Sequence, residues 1–174
     1  MFRNLVNHPG LITQIRPIAR NSIIRNNIRN NLLGIYNKNK IRTIAYYTET
    51  HEFIDYDEKT NTAKLGITYY AKNSLGEIIF IENDFEVGDN IEAEDEVATL
   101  ESTKATGVLS TPIEGEILQY NDELISDLDT YNNMDEKKET EFWLVNIQMD
   151  EDLNTTGLLC EDEYTKYLTI LDTD

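Results

Sequence analysis

A chain of 174 residues with 40% hydrophobic side chains has room for one ordinary core and an appendage, which excludes a second full domain. Its formal net charge of -18 is segregated: the first acidic residue is Glu49, and Arg3, Arg16, Arg20, Arg25, Arg29, Lys38, Lys40 and Arg42 all precede it. The acidic remainder repels phosphate backbones and anionic lipid heads, so neither nucleic acid nor a membrane is an expected partner, and the absence of any run of 18 apolar residues excludes a spanning helix.

Residues 1–44 combine those cations with Leu5, Leu11, Ile12, Ile15, Ile18, Ile23, Ile24, Ile28, Leu32 and Leu33 and contain no carboxylate. This pattern resembles an organellar transit peptide, in which a positive, amphipathic segment is drawn toward a negatively polarised matrix. The expectation is a disordered presequence over 1–44, a folded domain over 45–174 and a location in the mitochondrial matrix. Cys160 is the only cysteine, which excludes an intrachain disulfide and a thiolate metal cluster.

From Tyr46 onward the pattern changes to short β-branched and aromatic stretches separated by turn residues, the mark of a β-rich domain. His51 to Tyr56 alternates, Asp57 to Asn61 supplies turn chemistry, and Thr62 to Ile67 returns as a second strand. Thr68 predicts the N-cap of a short helix that ends at Leu75, stopped by Gly76, and Glu77 to Ile81 reads as a buried strand. Val87-Gly88-Asp89 and Ile113-Glu114-Gly115 punctuate two related halves, Asn90 to Ser102 and Thr106 to Tyr120, with residues 103–105 at the turn between them. Pro112 belongs at a strand end, because it has no N–H for a ladder. Asn121 to Thr140, with Asn132, Asn133, Asp135, Lys137 and Lys138, reads as a mobile surface loop. Phe142 to Met149 predicts a last strand. Cys160 to Leu171 predicts a closing helix whose Tyr164, Tyr167, Leu168 and Leu171 share one face.

The residues that carry chemistry are Thr99-Leu100-Glu101-Ser102-Thr103-Lys104-Ala105-Thr106, which fall between two predicted strands. A hairpin tip holds its central side chain clear of the sheet, where a long lysine stem can be reached by a modifying enzyme and then sweep between partners. By contrast, His51 and Trp143 read as packed structural side chains, and Cys160 as a small side chain at least partly buried. The sequence contains no Gly-rich phosphate loop followed by lysine and serine, and no serine, histidine and aspartate order around a nucleophile turn.

Glu101-Ser102-Thr103-Lys104-Ala105 resembles the modification site of the lipoyl and biotinyl carrier fold. The neighbours Thr103 and Ala105, in place of the methionines of biotinylated members, favour lipoate. Beyond the hairpin, the chain is similar to the H-protein family of the glycine cleavage system over roughly Tyr46 to Leu168. That similarity is carried by Tyr47-Thr48-Glu49-Thr50-His51-Glu52-Phe53, Gly66-Ile67-Thr68-Tyr69-Tyr70-Ala71, Leu75-Gly76-Glu77-Ile78-Ile79-Phe80-Ile81-Glu82 and Pro112-Ile113-Glu114-Gly115-Glu116-Ile117.

The resemblance implies a mainly β barrel-sandwich hybrid with small flanking helices and a C-terminal helix. It implies a monomeric carrier subunit rather than an enzyme, with lipoate attached covalently to Lys104 and Glu101, Ser102 and Ala105 recognised at the lipoylation site. The implied partners are glycine decarboxylase, aminomethyltransferase, dihydrolipoamide dehydrogenase and a lipoyl-attaching enzyme. Thr50 and Glu52 match positions of the cleft in which the family's loaded arm docks. A carboxylate there suits a cationic amine that would otherwise lose water unpaired. Two departures stand out: Gly107-Val108-Leu109 lacks the family's acidic residue, which puts shielding of the loaded arm in question, and Phe53 stands for a tryptophan. They leave open a relay that passes lipoate to other proteins, or an interaction module of the same fold without the cofactor.

Overall fold

The computed structural model describes residues 43–171. The presequence expected over 1–44, His8 included, therefore lies outside the described residues except for its last two positions, and Ile44 already opens a strand.

Within the described residues ten strands run in the order β1 (Ile44–Tyr47), β2 (Glu52–Asp57), β3 (Thr62–Ile67), β4 (Ile78–Asn83), β5 (Asn90–Ile91), β6 (Glu96–Ser102), β7 (Thr106–Ser110), β8 (Gly115–Tyr120), β9 (Val145–Gln148) and β10 (Leu159–Cys160). Among the described residues the helices are α1 (Tyr69–Leu75), α2 (Asp122–Ser126), α3 (Leu128–Asn132) and α4 (Glu161–Leu171), with a 3-10 segment over Glu136–Phe142. A seven-stranded sheet has the order β10-β1-β2-β3-β9-β8-β5, and a three-stranded sheet has the order β4-β6-β7. Ile54, Leu65, Ile117 and Ile147 from the large sheet share one core with Ile78, Val97, Leu100 and Leu109 from the small one. This is the expected barrel-sandwich, mainly β, with small helices outside it.

The two related halves are each divided between the sheets. The first leaves the large sheet after β5 and enters the small one at β6; the second makes the reverse passage from β7 to β8. The crossings are tied together, since the amide of Thr111 donates to the Asp95 carbonyl at 2.8 Å and the amide of Glu94 to the Thr111 carbonyl at 2.6 Å. Pro112 sits at the second crossing, where no ladder donor is required.

The segment Asn121 to Thr140 is a correction to the sequence reading. It is not an irregular loop but two short helices and the 3-10 segment, and Tyr131 beneath it is fully buried. The polar residues that suggest a loop are caps: the amide of Leu124 donates to Asn121, that of Thr130 to Asp127 and that of Lys137 to Asp135. Asn and Asp are favoured in both settings, because in each the short side chain accepts from a nearby backbone N–H. Asn132 reaches further. Its carboxamide accepts from Ile78 N at 2.8 Å and donates to Ile78 O at 2.9 Å, standing in for a neighbouring strand at the edge of β4. Ile78 is buried, so Asn132→Ala strips two backbone groups of their partners, and we expect a loss of about 2 kcal/mol in a urea unfolding titration.

α4 covers the outer face of the large sheet through a second, smaller cluster of Tyr47, Phe53 and Tyr164. The Tyr47 and Tyr164 rings stack with centroids 4.6 Å apart. The predicted helix thus forms, although its first predicted residue belongs to β10. Cys160 is exposed rather than even partly buried, since it lies in the two-residue edge strand that leads into α4. Trp143 is half-buried, with Lys64 Nζ 4.7 Å from its ring centroid.

Candidate functional site

β6 and β7 form an antiparallel hairpin in the small sheet, with Glu101 opposite Thr106, so the turn comprises Thr103, Lys104 and Ala105. Ser102 organises it. The Ser102 hydroxyl donates to the Ala105 carbonyl at 2.8 Å and accepts from the amides of Lys104 at 3.1 Å and Ala105 at 3.0 Å, while Ser102 N donates to Ala105 O at 2.9 Å. A short hydroxyl at this one position therefore fixes the backbone on both sides of the lysine. Glu101, Lys104 and Ala105 are exposed, and Ser102 is half-buried.

The start of β4 and the end of α1 support the tip. Thr103 N donates to Glu77 O at 3.1 Å. At Gly76, where φ is +90°, an added Cβ would stand 3.3 Å from Lys104 Cε and 3.4 Å from Nζ. At Gly107 an added Cβ would stand 2.7 Å from Leu75 Cδ1. Two glycines thus let a helix end and the hairpin approach closely, and Gly76, which reads as a helix stop, also leaves room for the lysine stem.

Thr50 and Glu52 lie together at the β1–β2 turn. Glu52 is buried, and its Oε2 accepts from Thr50 Oγ1 at 2.6 Å and from the Thr48 hydroxyl. Glu52 borders a cleft of about 480 Å³ that also takes in Glu94, Thr111, Asn154 and Thr156. The sequence gives no sign of Glu94 or Asn154 in this role, since the sheet crossing and the passage before β10 bring them there. Ser110, at the far end of β7 from the lysine turn, also borders the cleft. Val108 occupies the middle of β7 opposite Thr99, so no carboxylate stands there.

His51 is structural, as expected. Its Nδ1 is 2.8 Å from Tyr164 Oη, and its ring packs among Tyr70, Tyr164 and Tyr167. Burial lowers its pKa below the usual histidine value, against the opposing pull of Glu52. Tyr164 Oη also lies 2.9 Å from Thr68 Oγ1, and burial raises its pKa to about 12.

A second cleft, about 500 Å³, includes Tyr47, Tyr69, Tyr70, Tyr164, Glu136, Glu139 and Glu161. Glu139 accepts from Tyr69 N at 2.8 Å, yet burial raises its pKa, and the charges of Glu136 and Glu161 push the same way. A raised folded-state pKa means that its contribution to stability is present below the unfolded value near 4.5 and is lost as pH rises through the folded value. Glu139→Gln should therefore melt at a higher temperature than the parent at pH 7, and the difference should close below about pH 4.5 when both are followed by circular dichroism.

A two-sheet barrel-sandwich presenting one lysine at a hairpin turn defines a carrier domain of the lipoyl-domain type. Residues 45–170 match the family described as Glycine cleavage H-protein. Among similar proteins, the Glycine cleavage system H protein of Halothermothrix orenii is 35% identical over 122 residues, covering 70% of this chain and 91% of the relative. That of Leptospira biflexa is 35% identical over 127 residues, covering 73% and 92%. The crystal structure of a glycine cleavage system H protein from Mycobacterium marinum superimposes with a TM-score of 0.61 at 27% identity, covering 74% of this chain and 99% of that one. The chain belongs to the glycine cleavage H-protein family, whose members serve as lipoyl carrier subunits of that system rather than as catalysts.

The comparisons also correct the expected location. These relatives come from bacteria, which have no matrix to be imported into, so the mitochondrial assignment made from the basic composition of 1–44 is withdrawn. A positive segment without carboxylates is a compositional signal, and composition alone does not specify an address.

Proposed function

We propose that Lys104 carries lipoate in amide linkage and that the chain shuttles an aminomethyl group from glycine decarboxylase to aminomethyltransferase, with its dithiol returned to the disulfide by dihydrolipoamide dehydrogenase. The observation that carries this reading is the geometry of the turn: an exposed lysine flanked by Ser102 hydrogen bonds, with its stem over the bare Cα of Gly76. The residues fit the group, because the tip leaves the amine approachable and holds the backbone beneath it in one conformation. When attached, the group supplies a dithiolane whose disulfide can accept a one-carbon fragment and be restored by thiol exchange.

The chain's own part is positioning. The hairpin projects the amine, the acidic body favours partners with basic docking faces, and Glu52, buried and held by Thr48 and Thr50, can pair with a cationic amine brought into its cleft. Glu101 and Ala105, exposed on either side of Lys104, are open to the attaching enzyme. Val108 favours a second reading, a relay of lipoate to other proteins, because it withdraws one carboxylate from the strand that runs toward the cleft.

The test is the intact mass of the native protein followed by loading with glycine and its decarboxylase. An increment of one lipoyl group mapping to Lys104, followed by uptake of the aminomethyl group, supports carriage. Full lipoylation without uptake supports the relay, and an unmodified Lys104 overturns both.

A further inference from the structure

β4 breaks its alternation beside the lysine hairpin. Ile78 pairs with Ser102 and Phe80 with Glu101, so Ile79 is an extra residue with no partner of its own, a β-bulge. The bulge changes the phase of the strand. Ile78 and Ile81 are buried, while Ile79 and Phe80, adjacent in sequence, are 52% and 48% exposed. β4 is an edge strand of the small sheet, and among the described residues Asn132 covers that edge only at Ile78. Two large apolar side chains on an open edge invite association, and proteins ordinarily blunt such edges. Around the pair stand the exposed carboxylates Glu77, Glu82 and Glu101.

We infer that Ile79 and Phe80 form the docking surface for the enzyme that modifies Lys104, and that this enzyme meets them with an apolar pocket edged by lysine or arginine. The inference rests on the reading of Lys104 as the lipoylated residue. Three observations select this occupant. Phe80 faces Glu101 across one ladder step, about 5 Å, and Glu101 lies three residues before Lys104, so patch and amine are separated by roughly 10–15 Å. The backbone bond from Thr103 to Glu77 fixes the turn relative to β4, so an enzyme seated on the patch meets the amine in one orientation. Finally, only the attaching enzyme must bring its active site to Nζ itself, whereas later partners meet the far end of the arm. An apolar centre with an acidic rim calls for a basic-rimmed partner, since like charges across an interface are strongly disfavoured.

The experiment compares the unmodified parent chain with the double variant Ile79→Thr and Phe80→Thr, in which β-branched residues keep the strand character. A lipoate–protein ligase with ATP and free lipoate is the probe. The readouts are the rate of mass gain and, independently, the ligase's Kd for each unmodified chain. The expected result is a loss of at least 10-fold in kcat/KM with kcat within twofold of the parent, and a matching rise in Kd, the pattern of lost ground-state binding. Glu82→Lys should act in the same direction and flatten the salt dependence. Equal rates and affinities for a double variant of unchanged melting temperature would overturn the inference while leaving Lys104 as the carrier residue. Concentration-dependent dimers of the parent, lost in the variant with lipoylation unchanged, would assign the patch to a second copy of this chain and overturn it equally. If the parent gains no mass at Lys104, the underlying reading of the lysine fails first.

Discussion

Lys104→Arg should remove carriage completely while leaving the protein as stable as its parent, within about 0.5 kcal/mol. Arginine preserves the positive charge and the long stem, but its guanidinium is no substitute for a nucleophilic amine in forming an amide. The site loses no packing of consequence, because the lysine is exposed and the turn is held by Ser102, Ala105 and the Thr103 amide rather than by the side chain itself. Intact mass should show no lipoyl increment, and glycine decarboxylation dependent on the chain should fall to background, while urea and thermal transitions overlay those of the parent. A variant that unfolds would mean that the lysine stem supports the structure, contrary to its placement at an open turn.

Gly115→Ala should give the largest loss of stability from a single methyl group. A Cβ there would stand 2.2 Å from the carbonyl oxygen of Gln148 and 2.9 Å from Ile147 Cγ2, and φ of +153° already disfavours any side chain. The obstacle is backbone in β9, the ladder neighbour of β8, so it cannot swing aside as a side-chain tip would. Overpacking against immovable atoms, added to the conformational penalty, is expected to cost about 3 kcal/mol, a large share of a typical domain's stability. The melting midpoint should drop by about 10 °C, read by calorimetry. An unchanged midpoint would require β8 and β9 to separate at that point and would contradict the register.

Much of the fold is legible in the sequence because it is written in local chemistry. His51 to Ile67 alternates with turn residues between two runs, Thr68 and Gly76 mark the ends of α1, and the punctuation around Gly88 and Gly115 lies side by side, with Gly88 N donating to Ile117 O at 2.8 Å. The lysine turn is largely local, since a serine two residues before Lys104 makes most of its hydrogen bonds and the Thr103 amide alone reaches away, to Glu77 O. What escapes the sequence is chosen by tertiary contact. β10 is two residues long and becomes a strand only by pairing with β1, Tyr46 opposite Cys160, while β1 is itself held along its length by β2. The polar run of 121–140 carries residues that serve loops and caps equally, and only the buried Tyr131 and the reach of Asn132 to Ile78 decide between them. The β4 bulge is invisible for a related reason: four apolar residues in succession suggest uniform burial, and the phase slip that turns two of them outward depends on the partner strand. Glu94 and Asn154 come to the cleft from distant positions, so no spacing rule could pair them with Glu52.

One consequence follows from the way α4 and β10 are attached. They rest on a small cluster of their own, Tyr47, Phe53 and Tyr164, and not on the principal interior. The residues just before them, Asn154, Thr156, Gly157 and Leu158, form one wall of the Glu52 cleft. That wall is held from both sides, because Leu158 packs against the principal core while β10, an edge strand of the large sheet, and α4 behind it rest on the outer cluster. A guest in the cleft therefore meets a wall whose two ends are pinned to separate apolar clusters, so loosening either cluster by mutation should widen the cleft without touching Glu52.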